Sequence, residues 1–447
     1  MNFSKAFNPN DIRGIYGKEI SDELVYRIGK AFITYFKLKK IVVGRDMRIS
    51  SPTLFNSFVK GASEQGADVF DIGMISSDAL YFATGYFNIP GAMITASHNP
   101  ARYNGIKFSL EKAIPINGKE ELKKIRNLAE KNNFQKLKMG RVIKKNIAPH
   151  YVKHVQSFIK KEKLRKMKVV VDAGNGMAGK MIPIVCKNLP IKIVPIEFFL
   201  DGNFPRHDAN PSDKKNTKYS ELKVCMTNSD FGVAFDGDMD RVVFIDDKCS
   251  RVDSSLITCL IIKELLNKKR HGVFVYNSVM SKIISETAKK YGGKAYMEKV
   301  GHVFIKRRMR KLKAEFGAEN SGHFYYKKNY FADSGIITFL IITEIYSKFK
   351  GRFSEMLNEF SKYSKTEEIS FKVKNKEEII KKIERHYNIK AKKISHFDGT
   401  TMDFGEWWFN LRKSNTEPLI RLNLEANSKI LMNKKRKELT SMIKKLS

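Results

Sequence analysis

The sequence predicts a multi-domain α/β protein that ends in a smaller α+β unit, and three observations lead there. At 447 residues the chain is too long for one compact core; about 150 residues per domain gives roughly three. Short apolar runs of β type, at Ile41–Gly44, Val169–Asp172, Phe231–Phe235 and Val273–Tyr276, are mostly followed by amphipathic stretches of helical period such as Ser278–Tyr291. Alternation of this kind builds α/β layers around buried sheets. Toward the C-terminus the order changes: Thr366–Lys374 reads as a strand, Lys376–His386 as a helix, and Trp407–Arg412 and Leu419–Glu425 as strands before a final helix.

Joints are expected in the polar, lysine-rich segment near Asn146, after Asp247, and at Ser361–Lys365. They divide the chain into four units: 1–146, 147–248, 249–362 and 363–447. In the second unit Lys192 and Pro195 are expected to interrupt the strand that would follow Val169–Asp172.

The chain carries 36 more Lys and Arg than Asp and Glu. A nucleic-acid binder would gather its basic residues with aromatics on one face. Here they are spread over every segment, with modest runs at Ile305–Lys313 and Asn433–Glu438, so no nucleic-acid partner is expected. An anionic small substrate is compatible with the field. Cys186, Cys225, Cys249 and Cys259 show no metal-type spacing, and reduced thiols are the expectation. Residues Met1 to Gly14 hold no apolar run of signal type. The longest apolar stretch, around Ile336–Thr343, is far short of the ~20 residues of a membrane span. A cytoplasmic protein is expected, with no membrane contact and no obligate protein partner.

Four loops carry chemistry. Thr95-Ala-Ser97-His98-Asn99-Pro100 follows the apolar run Gly91–Ile94 and is forced to turn by its proline and by Tyr103-Asn104-Gly105. It raises a serine that could act as a nucleophile, although no G-x-S-x-G elbow accompanies it. Asp236-Gly237-Asp238-Met239-Asp240-Arg241 places three carboxylates at the carboxyl end of Phe231–Phe235. Their oxygens can converge on one hard cation, whose charge offsets their repulsion. An EF-hand is excluded, because Arg241 stands where it needs Gly and Asp247 where it needs Glu. A metal beside an arginine suits phosphoryl transfer. Arg412-Lys413-Ser414-Asn415-Thr416-Glu417-Pro418, with Arg421 beyond it, combines arginine forks with short donors, an oxyanion clamp. Glu319-Asn320-Ser321-Gly322-His323 offers a carboxylate and a hydroxyl to sugar hydroxyls. A rival signal, Gly174-Asn-Gly176-Met-Ala-Gly179, fits the dinucleotide fingerprint. Read alone it points to a nicotinamide enzyme or to tight strand-to-helix packing.

Taken together and in order, these strings resemble the α-D-phosphohexomutase superfamily, specifically its phosphomannomutase/phosphoglucomutase branch. The resemblance runs over essentially the whole chain. It begins at Asp11-Ile-Arg13-Gly14 and Gly44-Arg45-Asp46 and continues through the Ser97 loop and Tyr103-Asn104-Gly105-Ile106-Lys107. It then takes in Asp201-Gly-Asn-Phe-Pro205, Asp236–Arg241, Val300-Gly301-His302, Glu319–His323 and Trp408–Arg412, and ends at the clamp loop.

The resemblance implies three similar α/β domains, each a mixed sheet between helices, and a smaller C-terminal α+β domain, around a central cleft. It implies a phosphoserine at Ser97, with His98 and Asn99 lining it. Mg²⁺ would be held by the Ser97 phosphate with Asp236, Asp238 and Asp240. Arg13 and Arg241 would neutralise charge, and Lys107 and His302 would serve as base and acid. Glu319 and Ser321 would hold sugar hydroxyls. Arg412, Ser414, Asn415, Thr416 and Arg421 would hold the phosphate that is not reacting. The implied activity interconverts hexose 6- and 1-phosphates of mannose or glucose through a bisphosphate, with hexose 1,6-bisphosphate as activator; a phosphoglucosamine mutase of the same superfamily is the alternative. The chain departs from relatives at Asn10, at Asn320, and at Asn277-Ser278-Val279-Met280, which has no lysine. These differences touch specificity rather than reaction type. By the resemblance the glycine fingerprint is structural.

Overall fold

The computed structural model describes residues 5–8, 11–116, 120–414 and 418–447. They form two compact units, one of Met1–Ser254 with Lys306–Met356 and one of Ser255–Ile305 with Leu357–Ser447.

The first unit begins with a mixed six-stranded sheet. Its strand order is Ile12–Ile15, Tyr103–Ser109, Gly91–Ile94, Lys40–Arg45, Asp68–Met74 and Val142–Lys144. Tyr103–Ser109 runs antiparallel to both of its neighbours, and the remaining pairs are parallel. Helices Asp22–Phe36 and Ser51–Glu64 pack their apolar faces into a core in which Phe32 stacks on Phe108 with centroids 4.2 Å apart. Ser21 caps the first helix by accepting from the Leu24 N–H.

The next sheet orders Val242–Ile245, Phe231–Phe235, Met167–Asp172 and Ile191–Ile196, antiparallel at the first pair and parallel at the others. All five residues of Phe231–Phe235 are buried, as a central strand's unbroken apolar run requires. The expected interruption at Lys192 and Pro195 does not occur: both lie within the strand Ile191–Ile196. That strand is the sheet's edge, where a proline's missing N–H costs no ladder bond and a lysine faces water. The unit also contains an antiparallel meander, Phe316–Ala318, Phe324–Tyr326 and Ala332–Asp333.

The second unit contains the parallel pair Val273–Asn277 and Lys294–Glu298, joined through the helix Ile283–Lys290. That helix starts five residues later than the pattern suggested, and Ser278 instead bonds to the Asp398 carboxylate at 2.5 Å. The C-terminal sheet is antiparallel throughout, built around Leu419–Ala426 and Trp407–Lys413. Helices Lys376–Tyr387 and Lys429–Leu446, capped by Asn375 and Ser428, close its core, where Trp407 stacks on Phe404 at 4.1 Å. Of the expected strand Thr366–Lys374 only Ile369–Lys372 is strand; a separate short piece, Ser364–Lys365, precedes it, and both pair with Leu419–Ala426.

The expectation of four reduced thiols is corrected. Cys225 and Cys249 form a disulfide with Cα atoms 5.8 Å apart. The antiparallel turn from Phe231–Phe235 to Val242–Ile245 brings the end of the helix Lys218–Met226 beside the turn that holds Cys249. Cys186 and Cys259 remain buried thiols. No helix among the described residues is long and apolar enough to cross a membrane.

Candidate active site

The buried strand Gly91–Ile94 delivers the chain into the Ser97 loop. Ser97 is buried at 1% exposure and has φ 51°, a left-handed conformation that costs a non-glycine residue about 1–2 kcal/mol. Its N–H donates to Thr95 Oγ1 at 2.9 Å, and its hydroxyl donates to Asp236 Oδ2 at 2.8 Å. His98 Nδ1 lies 3.3 Å from the same hydroxyl oxygen. Burial, then the charges of Arg241, Arg13 and Lys107, push the His98 imidazole well below its ordinary range, so the ring beside the serine is neutral.

Asp236, Asp238 and Asp240 sit at the end of the central strand, all buried, with ligand oxygens within 4.8 Å of one another. The loop reaches the serine because Gly237 lacks a side chain: a Cβ there would stand 2.7 Å from the Ser97 carbonyl oxygen. Burial, then repulsion from Asp240 and Asp238, raises Asp236 well above the usual carboxylate range. Lys107, in register with Met93 on the neighbouring strand, places its Nζ 2.6 Å from both Asp238 Oδ2 and Asp240 Oδ2. Burial opposes its charge, but Asp238 and Asp240 outweigh that and hold the ammonium well above its ordinary range. Ser77 also donates to Asp238. Asp238 Oδ1, buried, has no hydrogen-bond partner among the described residues. Three converging carboxylates with an unsatisfied oxygen fit a hard divalent cation.

The Glu319–His323 loop is laid against this one. Val242 N–H donates to the Gly322 carbonyl at 3.0 Å, and Arg241 and His323 form a backbone bridge. His323 Nε2 lies 3.3 Å from Arg241 Nε, 3.3 Å from Asp240 Oδ1 and 3.5 Å from Asp333 Oδ2, while its Nδ1 lies 3.0 Å from Ser321 Oγ. Asp240, His323 and Asp333 form a second ligand-like group. It carries its own cation, Lys306, 2.7 Å from Asp333 Oδ1 and over the Tyr81 ring at 3.9 Å, and so reads as an ion-pair network. Glu319 is buried and accepts from the Tyr325 hydroxyl. Arg13 bonds Asn99 Oδ1 at 2.5 Å and Asp11 at 2.6 Å, which sets it at the rim of the serine loop.

The other expected residues belong to the second unit. His302 opens the helix His302–Leu312. Arg412 and Arg421 lie directly opposite each other on paired strands, an arrangement that repels unless offset. Glu368 offsets it, 2.9 Å from Arg421 Nη1 and 3.3 Å from Arg412 Nη2, and also accepts from Asn423 at 3.1 Å. The break between the strands at 364–365 and 369–372 presents Glu368 to this pair. Ser414 is buried, with its N–H on the Leu419 carbonyl at 2.9 Å. Asn415 and Thr416, like Asn10, lie outside the described residues.

The fingerprint Gly174–Gly179 packs rather than binds. A Cβ at Gly176 would meet the Gly237 carbonyl oxygen at 2.7 Å, and one at Gly179 the Phe198 carbonyl at 2.1 Å. The space a pyrophosphate would need is filled by backbone.

Profiles of one family match in sequence order: phosphoglucomutase/phosphomannomutase α/β/α domain I over residues 4–136, domain II over 149–249, domain III over 253–363 and the C-terminal domain over 368–441. The chain belongs to the phosphoglucomutase/phosphomannomutase family. A phosphomannomutase of Methanocaldococcus jannaschii is 38% identical over 99% of this chain and 98% of its own. One of Vibrio cholerae is 37% identical with the same coverage. A crystal structure of a phosphoglucomutase/phosphomannomutase family protein from Burkholderia thailandensis superposes with a TM-score of 0.88 at 28% identity, covering 98% of this chain and 97% of that one.

In this family member, sequence reasoning overlooked Ser77, Arg48, Lys306, Asp333 and Glu368, and gave His323 no role. His323 could have been found, since it closes the Glu319–Ser321 string. The others carry no local signal, because contacts that matter for them come from distant chain: Ser77 with Asp238, Arg48 with Ser97, Lys306 with Asp333 and Glu368 with Arg412 and Arg421.

Proposed function

We propose that this chain interconverts hexose 6-phosphate and hexose 1-phosphate of mannose or glucose through a phosphoserine at Ser97 and a hexose bisphosphate. The observation that supports the reading is the 2.8 Å bond from the Ser97 hydroxyl to Asp236, one of three carboxylates whose oxygens converge within 4.8 Å.

In the first half-reaction the P–O bond to Ser97 Oγ breaks, a P–O bond forms to the free sugar hydroxyl, and that hydroxyl's proton passes to a base. After the bisphosphate reorients, its other phosphoryl group returns to Ser97 and the released sugar oxygen takes a proton. A Mg²⁺ ion held by Asp236, Asp238 and Asp240 would supply positive charge at the transferring phosphoryl group. Arg241 and Arg13 add fixed charge around it. Lys107, whose Nζ lies 2.6 Å from Asp238 and Asp240, and His302 share the roles of acid and base. Glu319 and Ser321 hold the sugar hydroxyls, and Arg412, Arg421 and Ser414 hold the distal phosphate. The test compares rates on mannose, glucose and glucosamine 1-phosphates with a hexose bisphosphate present, together with peptide mass analysis of Ser97. Conversion of the first two with phosphate on Ser97 supports the reading; conversion of none of them refutes it.

A further inference from the structure

Arg48 is fully buried, its side chain at 0% exposure and its ion-pair partner Asp46 likewise. Its two terminal nitrogens bond four backbone carbonyls of one loop. Nη2 donates to Ser97 O at 2.8 Å and Asn99 O at 2.6 Å, and Nη1 donates to Pro100 O and Tyr103 O, each at 2.9 Å. Nε lies 3.3 Å from Asp46 Oδ2. The other Asp46 oxygen accepts from the Arg48 N–H at 3.0 Å and from Ser51 Oγ at 2.5 Å. Four inward-pointing carbonyls repel one another in a dry interior, and only a flat, multiply donating cation joins them at once.

The lid over this guanidinium comes from a string that the chemistry leaves unused, Asp201–Pro205. The Phe204 ring lies 5.0 Å from the Arg48 guanidinium carbon. Gly202 presses so closely that a Cβ there would stand 2.7 Å from Ile49 N and 2.9 Å from Arg48 Cα.

We propose that Arg48, sealed by Phe204, is a positioning residue for the nucleophile: its bond to the Ser97 carbonyl holds the left-handed backbone that aims Oγ at the Asp236 site. A strained conformation persists only where its surroundings over-determine it, and Arg48 supplies that constraint from beneath the loop. It touches neither substrate nor phosphoryl group. The inference deepens the phosphoserine reading and rests on it.

The experiment follows phosphate transfer from glucose 1,6-bisphosphate to dephosphorylated enzyme by intact mass, which yields both the rate and the fraction of chains able to accept phosphate. Misplacing a reacting atom by an ångström costs about 100-fold, so Arg48→Lys, with its charge kept and its fork lost, is expected to slow phosphorylation of Ser97 about that much. KM for the sugar phosphate should stay within about threefold, because the substrate-binding loops are not tied to Arg48. Phe204→Leu, which leaves the fork intact, should slow the same step by roughly three- to tenfold, part of the ångström-scale penalty. A merely structural arginine would give a smaller competent fraction that reacts at the wild-type rate; that result, or an unchanged rate in Arg48→Lys, overturns the inference. Should Arg48→Lys fail to fold, Phe204→Leu decides alone, and a wild-type rate there rejects the sealed arrangement. If wild-type Ser97 accepts no phosphate, the phosphoserine reading fails instead and takes this inference with it.

Discussion

The centre around Ser97 and the arginine pair of the C-terminal sheet are both assigned to phosphoryl groups, yet they are built in opposite ways. Ser97, Asp236, Asp238 and Asp240 are all buried, and the serine hydroxyl is held between His98 of its own loop and Asp236 from the end of another strand. Arg412 and Arg421 keep 19% and 33% of their side chains exposed and share one half-buried glutamate. Bond making and breaking gains from fixed charges in a dry site, where no reorganisation is left to do. Under the proposed function the clamp would accept the 6-phosphate in one pose and the 1-phosphate in the other, and would gain from long side chains and solvent access. The difference is between a fully buried centre and a partly exposed pair.

Predictions sharpen this contrast, beginning at the buried centre. Ser97→Ala should abolish nearly all turnover while the protein melts as before; normal turnover would remove the nucleophile from the scheme. Asp238→Asn should cost about 3–4 kcal/mol of barrier, on the scale of losing one preorganised charge-stabilising group. Mg²⁺ should restore activity after chelation in the wild type and only weakly in the variant, and full activity in chelator would refute the cation site. At the open clamp Arg421→Ala should cost less, about 2 kcal/mol, the low end for a desolvated charge pair. It should do so for 1- and 6-phosphate substrates alike, with more bisphosphate escaping. An effect on one substrate alone would break the shared-clamp reading. The smallest effect on turnover is expected from Cys225→Ser. It should leave kcat within about twofold while lowering stability by roughly 2–4 kcal/mol, the cost of releasing a loop of this size, as followed by denaturant unfolding with and without reductant.

The same contrast marks what the sequence could and could not disclose. Phe231–Phe235 and the carboxylates after it were legible because a central strand is an unbroken apolar run and its end is where loops gather. The Ser97 loop and Arg412–Ser414 were legible for similar reasons. The edge strand Ile191–Ile196 was not, because lysine and proline contradict a strand unless its edge position is known. Arg48 and Glu368 look like ordinary surface charges in one dimension; each matters because chain far away folds back over it. Cys225 and Cys249 were misread for the same reason, since a spacing of 24 residues says nothing about a turn that brings its ends together.

The backbone stack at Gly176, Gly237 and Ser97 has a further consequence. A side chain at Gly176 would strike the Gly237 carbonyl, and one at Gly237 would strike the Ser97 carbonyl, each at 2.7 Å. The spacing between the serine and the carboxylates is therefore set by main chain resting on main chain, like courses of brick laid without mortar. Side-chain rotamers cannot tune it, and thermal hopping of side chains cannot blur it. Variation among substrates has to be written elsewhere, in the loops that reach the sugar, while this gauge stays the same for every sugar the enzyme turns over.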